Sequence, residues 1–93
     1  MTKVNFNGQE YQIRRGLHAD GRVSIELLDG GGKRVAVATI NMQNAVTGED
    51  EVYVKDYAEN EGMLKALIDA GVVGRPFLEY RVGDVRIHKC RLT

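Results

Sequence analysis

Alternation between apolar and polar positions dominates the first half of the chain. Asn7-Gly8 interrupts the alternation early, and this pair favours a tight hairpin because both central turn positions take φ > 0. A second interruption, Gly30–Gly32 after Asp29, separates a strictly alternating stretch from a run rich in β-branched residues. The pattern predicts an antiparallel meander with strands at 3–6, 9–15, 22–29 and 33–42.

One helical pattern follows in the second half. Apolar side chains recur at i, i+3 and i+4 from about residue 60 to residue 70, and the predicted apolar stripe is Met63, Leu64, Leu67, Ile68 and Ala70. Asn60 is expected to cap the first turn, and Gly71 to end the helix in the left-handed conformation. Residues 41–50 are predicted to form a loop. A short strand is predicted at 51–54, and one or two more at 77–82 and 85–92.

These elements together predict an α+β fold. One amphipathic helix can cover one face of one sheet. We therefore expect an antiparallel β-sheet of five or six strands with one helix packed on one face, in two layers. A length of 93 residues suits a single domain over residues 1–93, since domains commonly have about 50 to 200 residues.

Composition predicts a folded protein of a reducing cytoplasm. A hydrophobic content of 43% and a charged content of 28% are typical of globular proteins and argue against disorder. The apolar runs are far shorter than the roughly 20 residues of a membrane span, and residues 1–12 lack the apolar core of a signal peptide. The single cysteine, Cys90, cannot form an internal disulfide, which favours a reducing compartment.

The net charge is zero, but its distribution along the chain is uneven. Residues 49–61, called the acidic segment below, carry six acids and one base. Residues 75–91, called the basic segment, carry five bases and two acids. Such polarity can steer a charged partner, unless the two segments face each other in the fold.

Few residues suggest catalysis or metal binding. The loop Asp29–Arg34 lacks the spacing of a phosphate-binding P-loop, and a strand rather than a helix follows it. His18, His88 and Cys90 come from two distant places and fall short of a four-ligand zinc site. We predict no catalytic residues, metal or cofactor, and keep a small metal-binding or enzymatic domain as a third alternative.

The six carboxylates of the acidic segment allow three interpretations. They are Glu49, Asp50, Glu51, Asp56, Glu59 and Glu61. They can form a solvated face beside the helix, supply oxygen ligands to Ca²⁺ or Mg²⁺, or imitate the phosphates of a nucleic acid. Their spacing does not match a calcium-binding loop. Tyr53 and Tyr57 in the same segment are candidate anchors for a partner, since tyrosine is common at interface hot spots.

The basic segment suggests a different activity. Its candidate nucleic-acid-binding residues are Arg81, Arg86, Lys89 and Arg91. Only Phe77 and Tyr80 are available for stacking on bases, which argues against recognition of single strands. Charged residues on an exposed strand also protect a sheet edge from aggregation.

The central block VYVKDYAENEGMLKALIDAGVV, with NFNGQEYQI near the start and CRL near the end, resembles a family of small bacterial proteins without an assigned activity. That family shares the pattern KDYxENEGxLxALxxAG(I/V)V. The resemblance covers most of the chain. Members of that family are often carried on plasmids, phages and other mobile elements. It implies a protein that binds a host factor, and inhibitors of host defence such as anti-CRISPR proteins fit that description.

The leading hypothesis is therefore a non-enzymatic interaction protein of a phage or plasmid. Its expected partner is a host protein, such as a CRISPR effector or another nucleic-acid-binding defence protein, whose basic surface the acidic strand–turn–helix would occlude. The alternative is an accessory protein of a mobile element that binds nucleic acid through the basic C-terminal strand. A homodimer formed through an exposed sheet edge is compatible with these two hypotheses and with the small metal-binding or enzymatic domain.

Overall fold

The computed structural model describes residues 3–42 and 47–93. These ranges contain seven strands, a short 3₁₀ turn and one α-helix, α1, at Met63–Asp69. The predicted loop at 41–50 lies partly outside the described residues, at positions 43–46. In chain order the strands are β1 Lys3–Phe6, β2 Gln9–Leu17, β3 Val23–Leu28, β4 Arg34–Val37, β5 Glu51–Lys55, β6 Leu78–Val82 and β7 Val85–Arg91.

The strands form two antiparallel sheets. The first sheet has the order β1-β2-β3-β4, and the second has the order β5-β7-β6. The predicted α+β class is confirmed, and the N-terminal meander is the first sheet. The prediction of a single sheet of five or six strands is wrong, because the strands after residue 50 pair among themselves.

The two sheets meet where the chain leaves β4. The Ala38 N–H donates to the Ile25 carbonyl at 2.8 Å, which continues the pairing with β3. The Ala38 carbonyl accepts from the Lys55 N–H at 2.8 Å, and the Ile40 N–H donates to the Tyr53 carbonyl at 2.9 Å. This contact contains only one isolated bridge. The chain therefore turns a corner here instead of merging the sheets into one.

The core draws on both sheets and on the helix. Burial of each large aliphatic side chain contributes about 1.5–3 kcal/mol to the free energy of unfolding. A core shared by the two sheets and the helix therefore stabilises all of these elements together. Helix α1 packs against β1 of the first sheet and β5 of the second. Central members of the core are Val4, Ile25, Leu27, Val52, Val54, Met63, Leu67 and Cys90.

The predicted hairpins at the two glycine-containing turns are confirmed. Asn7 and Gly8 have φ values of 52° and 78°, the left-handed geometry that a two-residue hairpin of this type needs. In the second turn the Asp29 carboxylate accepts from the backbone N–H groups of Gly31 and Lys33, both at 2.9 Å. Asp29 thus organises a hairpin loop and not a phosphate-binding loop.

The helix begins three residues later than predicted, and Asn60 does not cap it. Gly62 occupies the N-cap position with φ 93°, which a residue with a side chain rarely adopts. The capping acceptor is Asp56: its two carboxylate oxygens accept from the N–H groups of Gly62 at 2.8 Å and Leu64 at 3.1 Å. A side chain six residues before the N-cap thus accepts from two of the backbone donors at the start of the helix.

Asn60 instead joins the helix region to the first sheet. Its side chain is buried, and its Nδ2 donates to the Val37 carbonyl at the end of β4, at 2.7 Å. At the other end of the helix Gly71 has φ 74°, as predicted. The Gly71 N–H donates to the Ile68 carbonyl and the Val72 N–H to the Leu67 carbonyl, both at 3.0 Å, which is a Schellman motif.

Replacement of Asp56 should show how much the cap matters. Asp56→Ala removes two charge-assisted hydrogen bonds to the helix start, and we expect a loss of about 1–2 kcal/mol of unfolding free energy. Urea denaturation followed by far-ultraviolet circular dichroism measures this loss. Asp69→Ala is the matched control, because among the described residues the Asp69 carboxylate pairs only with Lys65, at an exposed position. Equal stability of the two variants would contradict the capping role.

Candidate functional site

The three-stranded sheet has one face in the core and one face turned away from it. Directly opposed residues of antiparallel strands lie on the same face. Val52 opposes Cys90, and both belong to the core. Lys89 of the central strand β7 lies between Tyr53 of β5 and Leu78 of β6. These three residues lie on the face away from the core.

That second face carries a cation–aromatic cluster, defined by Tyr53, Phe77, Tyr80, Lys89 and Arg91. Lys89 Nζ lies 5.6 Å from the centre of the Tyr53 ring and 5.7 Å from that of Phe77. The guanidinium carbon of Arg91 lies 5.2 Å from the Phe77 ring centre, and the rings of Tyr53 and Tyr80 meet edge to face at 5.6 Å. Phe77 and Tyr80 were not predicted site residues. They become neighbours of Lys89 and Tyr53 only because β6 pairs with β7.

Lys89 is nearly buried yet remains a cation. Its exposed fraction is 8%. Although burial lowers the pKa of Lys89, the neighbouring Tyr53 and the Glu51 carboxylate outweigh it and raise the pKa above its ordinary value. A nucleophilic lysine needs the opposite shift, towards the neutral amine. The geometry therefore assigns Lys89 a packing and charge-pairing role.

The acidic and basic segments pair with each other at one end of this sheet. Glu51 lies 3.5 Å from Lys89 and 3.5 Å from Arg91, measured between carboxylate oxygen and side-chain nitrogen. Arg91 Nε also lies 3.3 Å from the Asp50 carboxylate. The Glu51 carboxylate further accepts from the Gly48 N–H at 2.6 Å. Part of the charge polarity along the chain is therefore neutralised within the fold.

The other acids of the segment differ in what they contact. Asp56 uses both oxygens to cap the helix. Glu59 lies 2.8 Å from Lys55, but its side chain is still 68% exposed. Glu49 and Glu61 are exposed and make no ion pair with any residue that the structure describes. Four of the six predicted acids thus present carboxylates to solvent: Glu49, Asp50, Glu59 and Glu61.

The two candidate tyrosine anchors also differ. Tyr53 is only 2% exposed, and its hydroxyl lies 2.9 Å from the Thr47 hydroxyl. It therefore has almost no surface to offer a partner. Tyr57 is partly exposed, and Lys55 Nζ lies 5.4 Å from its ring centre.

The four candidate nucleic-acid-binding residues do not share a surface. Lys89 and Arg91 lie on the face with the cation–aromatic cluster, and Lys89 is nearly buried. Arg81 opposes Arg86 on the other face of the same sheet. Arg86 also lies 3.5 Å from Glu79. A backbone-tracking groove needs its cations along one path, and this arrangement does not supply it.

The three candidate soft metal ligands do not form a metal site. Cys90 is fully buried, and burial raises the pKa of its thiol to about 11. His18 Nε2 lies 3.2 Å from the Thr39 hydroxyl. His88 Nδ1 lies 3.7 Å from the Glu79 carboxylate across the strand pair. Within residues 3–42 and 47–93, no three His, Cys, Asp or Glu side chains lie close enough to hold a metal ion.

No protein-family model, curated protein or solved structure matches the chain. In the part of the chain that the structure describes, no helix is both long enough and apolar enough to cross a membrane. The geometry of the residues is therefore what bears on function.

Stability at acid pH should depend on Glu51. Hydrogen bonding from Gly48 and the charges of Lys89 and Arg91 outweigh burial and lower the pKa of Glu51. A lowered folded-state pKa adds stability above the ordinary carboxyl value, and this stability is lost as pH falls through the folded pKa. We expect Glu51→Gln to flatten the decline of unfolding free energy between neutral pH and about pH 3. Urea titrations at a series of pH values measure this decline.

Glu49→Gln is the matched control for this experiment, since Glu49 makes no ion pair with the described residues. Its pH dependence should follow that of the unmodified protein. A Glu51→Gln profile that also follows the unmodified protein would contradict the pairing seen at Lys89 and Arg91.

The Cys90 thiol should be unreactive in the folded protein. Complete burial blocks access, and the raised pKa keeps the thiol protonated at neutral pH. We expect negligible reaction with a chromogenic disulfide reagent under native conditions, and one equivalent of reaction in guanidinium chloride. Rapid native reaction would show that Cys90 is accessible and would reopen a catalytic role.

Proposed function

We propose that this chain is a non-enzymatic interaction protein of phage or plasmid origin that inhibits a host defence factor in the bacterial cytoplasm. The proposed partner is a nucleic-acid-binding protein such as a CRISPR effector. Carboxylates of the acidic segment would dock on the partner's basic surface and exclude the nucleic acid. The observation that carries the proposal is the set of solvent-facing carboxylates that the fold leaves on either side of β5.

These carboxylates form two groups, one before β5 and one after it. Glu49 and Asp50 precede β5, and Glu59 and Glu61 follow it. The strand between them has five residues and spans about 13 Å from its first to its last Cα atom. The three middle residues of β5 are buried, and Val52 and Val54 among them pack in the core, which holds the strand in place. Preorganised charges lose little conformational entropy on binding, and this supports recognition of a defined basic surface.

The exposed acids are also the ones that can bind at low cost. Glu49 and Glu61 make no ion pair with the described residues, so a partner's cations would not have to displace an internal one. Asp50 and Glu59 do make ion pairs, with Arg91 and Lys55, but both carboxylates are exposed to solvent, where such pairs are weak. Glu51 and Asp56 are different, because their oxygens already stabilise the sheet and the helix. We therefore narrow the proposed contact set to Glu49, Asp50, Glu59 and Glu61, with Tyr57 as the aromatic anchor.

The protonation states of Cys90 and Lys89 support binding rather than covalent chemistry at these two side chains. Burial holds Cys90 as the neutral thiol, and the surroundings of Lys89 hold it as the ammonium ion. Neither form attacks an electrophile. An occluding protein needs no such group, since its effect follows from the surface that it covers.

Charge reversal should abolish partner binding. In Glu49→Lys/Glu59→Lys/Glu61→Lys, three of the proposed contact carboxylates become cations while the buried core is unchanged. Affinity capture from a bacterial host lysate should recover a nucleic-acid-binding protein with the unmodified chain and not with this variant. Added DNA or RNA should release the captured protein, because occlusion makes the two ligands mutually exclusive.

A control variant separates a local effect from a change in net charge. Glu10→Lys/Asp69→Lys/Asp84→Lys alters net charge equally at three exposed acids outside the acidic segment. It should capture the same partner as the unmodified chain. Equal capture by both variants, or a partner that saturating nucleic acid does not release, would contradict the proposal.

A further inference from the structure

Strand β6 ends the three-stranded sheet and leaves one edge open. It pairs with β7 on one side, and no other strand of residues 3–42 and 47–93 pairs with it. Three large apolar side chains at this strand are about half exposed: Phe77 at 48%, Leu78 at 46% and Val82 at 53%. Exposed apolar side chains that cluster on an open strand indicate an interaction surface.

The hairpin geometry shows which backbone groups face the open edge. A two-residue turn, Gly83-Asp84, joins β6 to β7, so the flanking Val82–Val85 pair is hydrogen-bonded. Backbone hydrogen-bonding direction alternates along a strand. Glu79 and Arg81 therefore direct their N–H and C=O groups away from β7, as donors and acceptors for another strand.

The sequence of this strand, Leu-Glu-Tyr-Arg-Val, is complementary to itself in the antiparallel direction. A two-fold axis at Tyr80 places Glu79 of each copy opposite Arg81 of the other. The same axis places Leu78 opposite Val82 and the two Tyr80 residues opposite each other. Opposite charges and apolar or aromatic pairs stabilise directly opposed positions of a sheet.

Neighbouring registers do not give this match. If the second copy were shifted by one residue along β6, each side chain would lie opposite one from the other face of the sheet. A shift that moves the axis to Glu79 places the two Glu79 carboxylates opposite each other, and an axis at Arg81 does the same with two guanidinium groups. Like charges directly opposite destabilise a strand pair. The charge pattern therefore selects one register.

The register also agrees with the backbone and with the charges inside one copy. With the axis at Tyr80, Glu79 and Arg81 form the hydrogen-bonded pairs, and these are the residues whose backbone groups are free. Within one copy Arg81 opposes another arginine, Arg86, and makes no ion pair with a described acid. A second copy would bring the Glu79 carboxylate to Arg81.

We propose that the open edge of β6 binds a second copy of this chain, through an antiparallel two-fold pairing centred on Tyr80, to form a continuous six-stranded sheet. The contact uses none of the four carboxylates proposed to bind the host protein. Dimer formation and host inhibition are therefore tested separately. Neither edge strand of the first sheet has a comparable match, because the only charge of β1 is Lys3 and the only charge of β4 is Arg34.

A cysteine placed on the axis tests the register directly. Opposed residues of a non-hydrogen-bonded antiparallel pair have Cα atoms about 4.5 Å apart, within reach of a disulfide. Tyr80→Cys should therefore give a covalent dimer under mild oxidation. The control Val82→Cys should not, because its two copies would lie about 14 Å apart along the strands. The unmodified protein should not cross-link, because Cys90 is buried.

Charge exchange provides a second test that keeps Tyr80. Sedimentation equilibrium from micromolar to near-millimolar concentration measures the dimer dissociation constant. Arg81→Glu should raise this constant about tenfold, since each Glu79 then meets a second carboxylate. Glu79→Arg/Arg81→Glu should restore dimerisation, because the opposite charges face each other again. Circular dichroism confirms that each variant is folded.

The outcomes distinguish the proposal from its alternatives. A folded protein that stays monomeric at every concentration would overturn it. Cross-linking at position 82 but not at 80 would overturn the register, and so would a double variant that dimerises no better than Arg81→Glu. Protection of the Glu79 and Arg81 amides from hydrogen exchange only when a foreign peptide is added would assign the edge to another protein.

Discussion

The fold depends on the backbone hydrogen bonds that Ala38 and Ile40 share with two sheets. Ala38 pairs with β3 through its N–H and with β5 through its carbonyl. This corner places β5, and with it the whole acidic segment, beside the meander. It also encloses one core between the two sheets and the helix, in which Val52 and Val54 of β5 are buried. The surface proposed for partner binding therefore rests on a backbone contact that involves no carboxylate.

Several residues of the central block, 52–73, have structural roles at the two ends of helix α1. Asp56 caps the helix from six residues before Gly62, and Asn60 joins the same region to the end of β4. Gly62 and Gly71 adopt positive φ at the two ends. A seven-residue helix is too short to be stable alone, so these contacts and its packing define it. What remains for recognition is the carboxylates that these contacts do not use.

Charge along the chain and charge on the surface are different properties in this protein. Glu51 is enclosed by Lys89 and Arg91, so part of the acidic segment is compensated by the basic segment. Lys89 packs between aromatic rings and becomes a structural residue. The negative charge of the acidic segment that could attract a charged partner is therefore confined to its exposed carboxylates before and after β5. Pairing across strands, which linear charge counts do not include, decides which charges remain.

Sequence alone determined the elements whose signals are local. Alternation and turn chemistry located the strands and the Asn7-Gly8 hairpin, and the i, i+3, i+4 spacing located the helix and its end at Gly71. Only the tertiary structure decided how the elements combine. The sheets divide at Ala38, Asp56 caps a helix six residues away, and Phe77 reaches Lys89 through strand pairing. Such contacts join residues that are distant along the chain, so no periodic pattern in the sequence indicates them. They form because burial of the shared core brings these elements together.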